Sequence, residues 1–200
     1  LLSWVNPDSH HRHLGFEDYL TKGPVAALEF LTKNTQVKKV NLLGFCLGGT
    51  LLACLLSYLK SKNNDCVESA TFLTTLIDFK EPGDMQVFID DKQIDLIEKK
   101  MRHKGYLDGR TLMATFGRLR ANDLLWSYYV QNYLCGEDPL PFDLMYWNSD
   151  PTNLTEKMHS FYLKNMYLNN QLVEKNQIVL DGVSIDIQSI QTPSYFLATE

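Results

Sequence analysis

At 200 residues the chain suffices for one sizeable hydrophobic core with an inserted subdomain. Its apolar share of 44%, its 12% aromatics and a net charge of −5 spread along the sequence describe an ordinary globular composition, without the basic blocks that bind nucleic acid. No apolar run is long enough to span a bilayer, and no charged-then-apolar signal peptide opens the chain. The four cysteines, Cys46, Cys54, Cys66 and Cys135, form no Cys-x-x-Cys pair. They read as reduced thiols of a cytosolic protein rather than a disulfide frame or a zinc site.

In chain order, residues 1–5 read as a strand stopped by the turn signal Asn6-Pro7-Asp8. His10, His11 and His13 follow, with no Cys or acidic partner at helical spacing, and read as a solvated loop rather than a metal site. Apolar residues at helical spacing predict a helix over 16–33, then a strand over 37–45 and a helix over 50–60. Residues 69–79 read as the next strand. From about Lys80 the pattern turns helical: a strand-like Val87-Phe88-Ile89 and an amphipathic helix to Met101, a break over 105–109, and helices over 112–119, 123–134 and 155–172. The last two are aromatic-rich, and each aromatic taken singly reads as core packing. Ile178 to Val183 predicts a hairpin turned by Asp181-Gly182, and Tyr195 to Ala198 a returning strand.

The strand–helix alternation predicts an α/β fold with a mostly parallel, doubly wound sheet, Cys46 lying at the carboxyl end of a central strand. The predicted division is an α/β core over residues 1–79, a mainly helical cap or lid over 80–176, and a return to the core over 177–200. Both ends fall inside apolar runs, so the chain reads as a fragment whose sheet is incomplete at each end.

The stretch Gly44-Phe45-Cys46-Leu47-Gly48-Gly49-Thr50 carries the chemistry. A strand, a sharp turn and a helix with sulfur at the apex match the nucleophile elbow of α/β-hydrolases, in which a strained residue projects its side chain just before a helix N-terminus. Gly44, Gly48 and Gly49 are expected there because a Cβ beside the apex would crowd strand or helix. The helix dipole favours a thiolate, and the backbone N–H of Leu47 is the expected oxyanion donor. Alone, Gly-x-Cys-x-Gly also fits a buried, inert cysteine beside a glycine turn; the strand before it and the helix after it favour the nucleophile. An apolar cap over such an elbow suggests a covered acyl tunnel.

The chain resembles the polyhydroxyalkanoate synthases of the class I type. The likeness rests on Ser3-Trp4-x-Asn6-Pro7-Asp8, the elbow, Leu73-Thr74-Thr75-Leu76-Ile77-Asp78-Phe79, Leu119-Arg120-Ala121-Asn122-Asp123-Leu124-Leu125-Trp126, Pro141-Phe142-Asp143-Leu144-Met145-Tyr146-Trp147-Asn148-Ser149-Asp150, and Tyr167-Leu168-x-Asn170-x-Leu172. The resemblance implies an acyltransferase with a Cys–His–Asp triad, of which only Cys46 maps here. The triad Asp and His are expected past residue 200; Glu200 is disfavoured as the acid because family members commonly carry a Glu just before the Asp, and His159 as the base because it precedes the final strand, in the wrong order. It further implies (R)-3-hydroxyacyl-CoA, the 3-hydroxybutyryl thioester in particular, as substrate, a growing polyester as product, and no metal or other cofactor. A homodimer formed through the cap, at the surface of cytoplasmic polymer granules, is also implied. Two alternatives stay open: a Cys-type hydrolase of the dienelactone hydrolase or thioesterase kind, and a truncated, non-catalytic dimerisation partner of an intact synthase.

Overall fold

The structure, a computed structural model, describes residues 3–198 apart from Arg120, Leu140 and Phe142. Leu1 and Leu2 of the expected first strand, Arg120 and Phe142 of the quoted motifs, and Glu200 therefore lie outside the described residues. In order come α1 (Phe16–Leu20), a wide π-type turn (Thr21–Val25), α2 (Ala26–Asn34), β1 (Val40–Phe45), α3 (Leu47–Ser61) and β2 (Val67–Leu73). Then follow α4 (Asp91–Lys104), β3 (Tyr106–Leu107), α5 (Gly109–Leu119), two wide turns (Asn122–Trp126 and Tyr129–Leu134), α6 (Met145–Asn148), β4 (Leu154–Thr155) and α7 (Glu156–Phe161). A third wide turn (Tyr162–Leu168), the hairpin of β5 (Ile178–Leu180) and β6 (Val183–Ile185), and β7 (Ser194–Leu197) complete the order. No helix among the described residues is long and apolar enough to cross a membrane.

The chain divides into two compact units. The first holds residues 1–13 and 97–156, the second residues 14–96 and 157–200. Residues 80–96 and 157–176 thus group with the strands of the second unit.

In the second unit β1, β2 and β7 form a parallel sheet in that order. Among the described strands β1 is at the edge and β2 is central, whereas the sequence places the Cys46 strand centrally. The difference starts at the N-terminus, where residues 3–5 take no strand conformation and Trp4 and Val5 stand exposed. The register pairs Phe45 with Leu73 and Leu73 with Leu197, so the three carboxyl ends line up. Phe72 and Phe196, also paired, stack at 4.5 Å.

Helix α3 covers one face of this sheet. It is apolar nearly all round, burying Leu52, Ala53, Cys54, Leu55, Leu56 and Leu59, because the hairpin packs on its other side. Polar links fasten the hairpin: the Tyr58 hydroxyl donates to Asp181 at 2.9 Å and the Asp186 N–H donates to the Ser57 hydroxyl at 2.8 Å. Asp181 and Gly182, at φ 49° and 72°, supply the left-handed turn that an Asp-Gly pair favours. Helix α3 ends where Asn63 turns left-handed (φ 54°) and the Asn64 N–H returns to the Leu59 carbonyl.

The strands expected over 37–45 and 69–79 are shorter than their apolar runs, and the strand-like 87–89 forms no strand. β2 stops at Leu73 instead of Phe79 because Thr74 takes φ 46°, which no strand continues. Val87-Phe88-Ile89 belongs to a 3-10 turn (Gly83–Phe88) and its exit, with the Gln93 side chain donating to the Val87 carbonyl. Pro24, inside the first wide turn, has no N–H to lose, which fits the relaxed bonding there.

In the first unit the expected break over 105–109 contains a short antiparallel pair, Tyr106 with Thr155 and Leu107 with Leu154. Asn153 staples it: its Oδ1 accepts from the Gly109 N–H at 2.9 Å, its Nδ2 donates to the Pro7 carbonyl at 2.9 Å, and its N–H donates to Asn6 Oδ1 at 2.8 Å. Arg12 joins the N-terminal arm to α4, donating to the Arg102 carbonyl and to Glu156.

Candidate active site

The backbone at Cys46 is the structural feature on which the site turns. Cys46 stands between β1 and α3 at φ 51°, ψ −122°, a conformation that a side chain with a Cβ rarely adopts. Its N–H donates to the Leu73 carbonyl at 2.9 Å, so β2 holds it in place. Its own carbonyl accepts from the Gly49 and Thr50 N–H groups at 2.9 and 3.3 Å and opens α3. The thiol is exposed and makes no capping bond. Leu47, first residue of the 15-residue helix, has an N–H without an intrahelical carbonyl to donate to.

The glycines divide by function. A Cβ on Gly44 would come within 2.5 Å of the Gly49 Cα and 2.8 Å of the Gly48 carbonyl oxygen, so this strand glycine lets the helix start pass close by. A Cβ on Gly49 would overlap the side chain of Thr75. Gly48 corrects the expectation of crowding: nothing lies within 4 Å of a Cβ built there. The helix start turns that position toward open space.

Polar and aromatic groups border the elbow. Fully buried Thr50 donates from its hydroxyl to the Leu76 carbonyl at 2.7 Å, tying α3 to the segment after β2. Phe79, at the end of that segment, meets Tyr162 and Tyr167 at centroid distances of 5.9 and 4.8 Å, and the two tyrosines meet edge to face at 5.2 Å. Burial pushes the Tyr162 phenol far above its ordinary range, with Tyr167 beside it and Cys46 near enough to add to the rise. Burial likewise raises Tyr167, which also feels Cys46. Both phenols stay protonated at neutral pH and can donate hydrogen bonds.

These tyrosines were hidden in the sequence because α-helical spacing sets positions five apart about 140° from each other. The wide turn Tyr162–Leu168 bonds across five residues and brings the two rings onto one side. A five-residue tyrosine spacing beside the Asn170 motif is the signal that could have found them.

His159 is buried in α7, its Nδ1 without a partner, and burial alone lowers its pKa to about 4. The other thiols differ from Cys46: Cys54 is buried and pushed up to about 12, Cys66 is buried and raised by the same cause, and Cys135 is exposed. His10 and His11 lie in a turn capped by Asp8, whose Oδ1 accepts from the His10 N–H at 2.8 Å. Among the described residues no group of three or more His, Cys, Asp or Glu is placed to hold a metal ion.

The chain is 46% identical over 199 residues to the poly(3-hydroxyalkanoate) polymerase of Methylorubrum extorquens, covering 100% of this chain and 33% of that protein. It is 44% identical over 200 residues to the poly(3-hydroxyalkanoate) polymerase subunit PhaC of Rhizobium meliloti, again 100% of this chain and 33% of the relative. For the subunit PhaC of Cupriavidus necator the identity is 38% over 200 residues, 98% of this chain and 34% of the relative. The chain thus spans about a third of the length of these curated relatives. Residues 8–200 match the α/β hydrolase fold. With a parallel sheet, a strand–turn–helix elbow and a match running through nearly all of its length, the chain belongs to the α/β hydrolase fold family.

Proposed function

We propose that this sequence is the nucleophile-bearing part of a polyhydroxyalkanoate synthase, which polymerises (R)-3-hydroxyacyl groups, 3-hydroxybutyryl above all, from coenzyme A thioesters. The observation that carries the reading is Cys46, an exposed thiol held at φ 51° on the N-terminus of α3. The likeness to poly(3-hydroxyalkanoate) polymerases along the whole chain supports it.

On this reading the Cys46 thiolate attacks the substrate thioester carbonyl. A sulfur–carbon bond forms, the coenzyme A thiolate leaves, and the Leu47 N–H donates to the oxyanion between the two. Exchange of one thioester for another is nearly balanced, so the acyl group stays activated; a serine ester would spend that activation at loading. The hydroxyl of a second 3-hydroxyacyl unit then attacks the Cys46 thioester, forming an oxygen ester and freeing the sulfur. A histidine oriented by an aspartate takes the thiol proton and passes it to the departing coenzyme A thiolate, then takes the proton of the attacking hydroxyl and returns it to the Cys46 sulfur. Neither step needs a metal or prosthetic group.

Residues 80–176 act as a cap that keeps water from the acyl-enzyme. Exposed Trp126, Tyr133, Tyr146 and Trp147 support a homodimer formed through this region, working at the surface of cytoplasmic polymer granules. The test uses the complete natural protein: Cys46→Ala should abolish coenzyme A release and polymer, while Cys54→Ala, Cys66→Ala and Cys135→Ala retain both. Normal polymer yield from Cys46→Ala would overturn the mechanism. Free hydroxy acid as the sole product of the unmodified protein would assign it to hydrolysis instead.

A further inference from the structure

The segment from Thr74 to Lys80 and the end of the wide turn Tyr162–Leu168 are joined by one carboxamide. Asn170 Oδ1 accepts from the Phe79 N–H at 2.8 Å, and Asn170 Nδ2 donates to Asp78 Oδ1 at 2.7 Å. The same carboxylate oxygen accepts from the Lys80 N–H at 3.0 Å. Asn170 takes φ 48°, a conformation that Asn tolerates better than most residues with a Cβ, and its N–H donates to the Met166 carbonyl at 2.9 Å. Only a side chain with one acceptor and one donor on the same short stem meets an N–H and a carboxylate together.

What the clasp holds is defined at both ends. Toward the elbow, Thr75 packs where Gly49 leaves room and the Leu76 carbonyl accepts from Thr50. Away from it, Phe79 lies against Tyr162 and Tyr167, the two phenols that border Cys46. We propose that Asn170, clasped to Asp78 and Phe79, is a positioning residue that fixes the Phe79–Tyr162–Tyr167 wall beside Cys46 and thereby orients the acyl group loaded on the sulfur. The proposal rests on the reading of Cys46 as the acyl-bearing thiol.

The clasp can be rebuilt in reverse, which gives its test. In the complete protein Asn170→Asp sets two carboxylates face to face and removes the donor. Asn170→Gly keeps the left-handed backbone and removes both bonds. Asp78→Asn leaves an acceptor for Asn170 and for the Lys80 N–H. The double variant Asp78→Asn with Asn170→Asp restores the bond between positions 78 and 170 with its polarity exchanged, Asn at 78 donating and Asp at 170 accepting from it and from the Phe79 N–H, and gives up only the bond from the Lys80 N–H, which shares that atom of residue 78.

Steady-state coenzyme A release is measured with four- and six-carbon (R)-3-hydroxyacyl thioesters, at temperatures where circular dichroism shows each variant folded. Asn170→Asp and Asn170→Gly should lose about tenfold or more in kcat with a smaller change in KM, as misplacement of a reacting group does. The double variant should recover to within about threefold of the unmodified protein, a return that oriented bonding explains and mere loss of stability does not. Should Asn170→Asp fail to fold, Asn170→Gly and the double variant carry the comparison. Unchanged kcat in a folded Asn170→Gly, or a double variant as slow as Asn170→Gly, would overturn the proposal. Cys46→Ala, run alongside, separates the two readings: turnover by that variant refutes the thioester mechanism itself, whereas its silence beside an unaffected Asn170→Gly refutes the clasp alone.

Discussion

The elbow predicts opposite outcomes for two glycines of one motif. Alanine at 44 would place its Cβ 2.5 Å from the Gly49 Cα, 2.8 Å from the Gly49 nitrogen and 2.8 Å from the Gly48 carbonyl oxygen. Ordinary contact begins near 3.4 Å, so main chain must move by about 0.9 Å, and backbone cannot swing aside as a side-chain tip can. Overpacking of this kind costs about 1–3 kcal/mol, and rigid neighbours put Gly44→Ala toward the upper end. The displaced atoms open α3, so the same movement shifts the Leu47 N–H; loss of one oxyanion donor is worth about a hundredfold to a thousandfold in rate. Alanine at 48 meets nothing within 4 Å and replaces a helical glycine, which should leave stability unchanged or raise it by up to about 1 kcal/mol. Chemical unfolding followed by circular dichroism, with coenzyme A release from 3-hydroxyacyl thioesters, reads both quantities in the complete protein. Equal damage from the two variants, or unimpaired stability and rate in Gly44→Ala, would refute the reasoning.

Three further outcomes are expected. In the folded chain iodoacetamide should modify Cys46 and Cys135 and spare Cys54, which is buried with its thiol pushed up to about 12; peptide mass mapping that finds native-state label on Cys54 would contradict the packing around α3. His159 takes its proton near pH 4 in the fold and near 6.5 unfolded, so its contribution is fully present above 6.5 and falls by roughly 3 kcal/mol toward pH 4. Urea midpoints across that range should slope less in His159→Gln, and identical slopes would discard the assignment. Asn153→Ala removes two side-chain bonds from the β3–β4 staple and should cost about 1–3 kcal/mol, read locally as faster hydrogen exchange at the Gly109 amide; unchanged exchange there would count against the staple.

How far the sequence reveals this structure depends on the range of the interactions involved. The parallel sheet and α3 were legible because apolar runs with strand and helix periods are local signals, and the Asp181-Gly182 turn because its chemistry is complete in two residues. β2 was overextended to Phe79 because Thr, Leu, Ile and Phe dominate residues 71–79; the stop comes where Thr74 turns to φ 46°, which propensity does not announce. Gly48 was misread because the motif gives spacing but not direction, and only the turn of the chain shows which glycine faces backbone and which faces open space. The Asp78–Asn170 clasp joins residues 92 apart and left no periodic trace.

The register of the sheet also constrains how a triad could be completed around Cys46. The Cys46 N–H donates to the Leu73 carbonyl, and the Thr74 N–H donates to the Leu197 carbonyl, so one rung of bonding runs across the ends of β1, β2 and β7. Neighbouring strands lie about 4.8 Å apart, which sets the end of β7 two spacings, or about 10 Å, from the strand that carries the sulfur. On the proposed reading, an aspartate supplied near that end starts from a backbone about two strand spacings away from that of Cys46. A planar ring bonded on both sides can bridge such a gap, one nitrogen toward the carboxylate and the other toward sulfur. That spacing suits the proposed roles, an aspartate that orients a histidine and a histidine that touches Cys46.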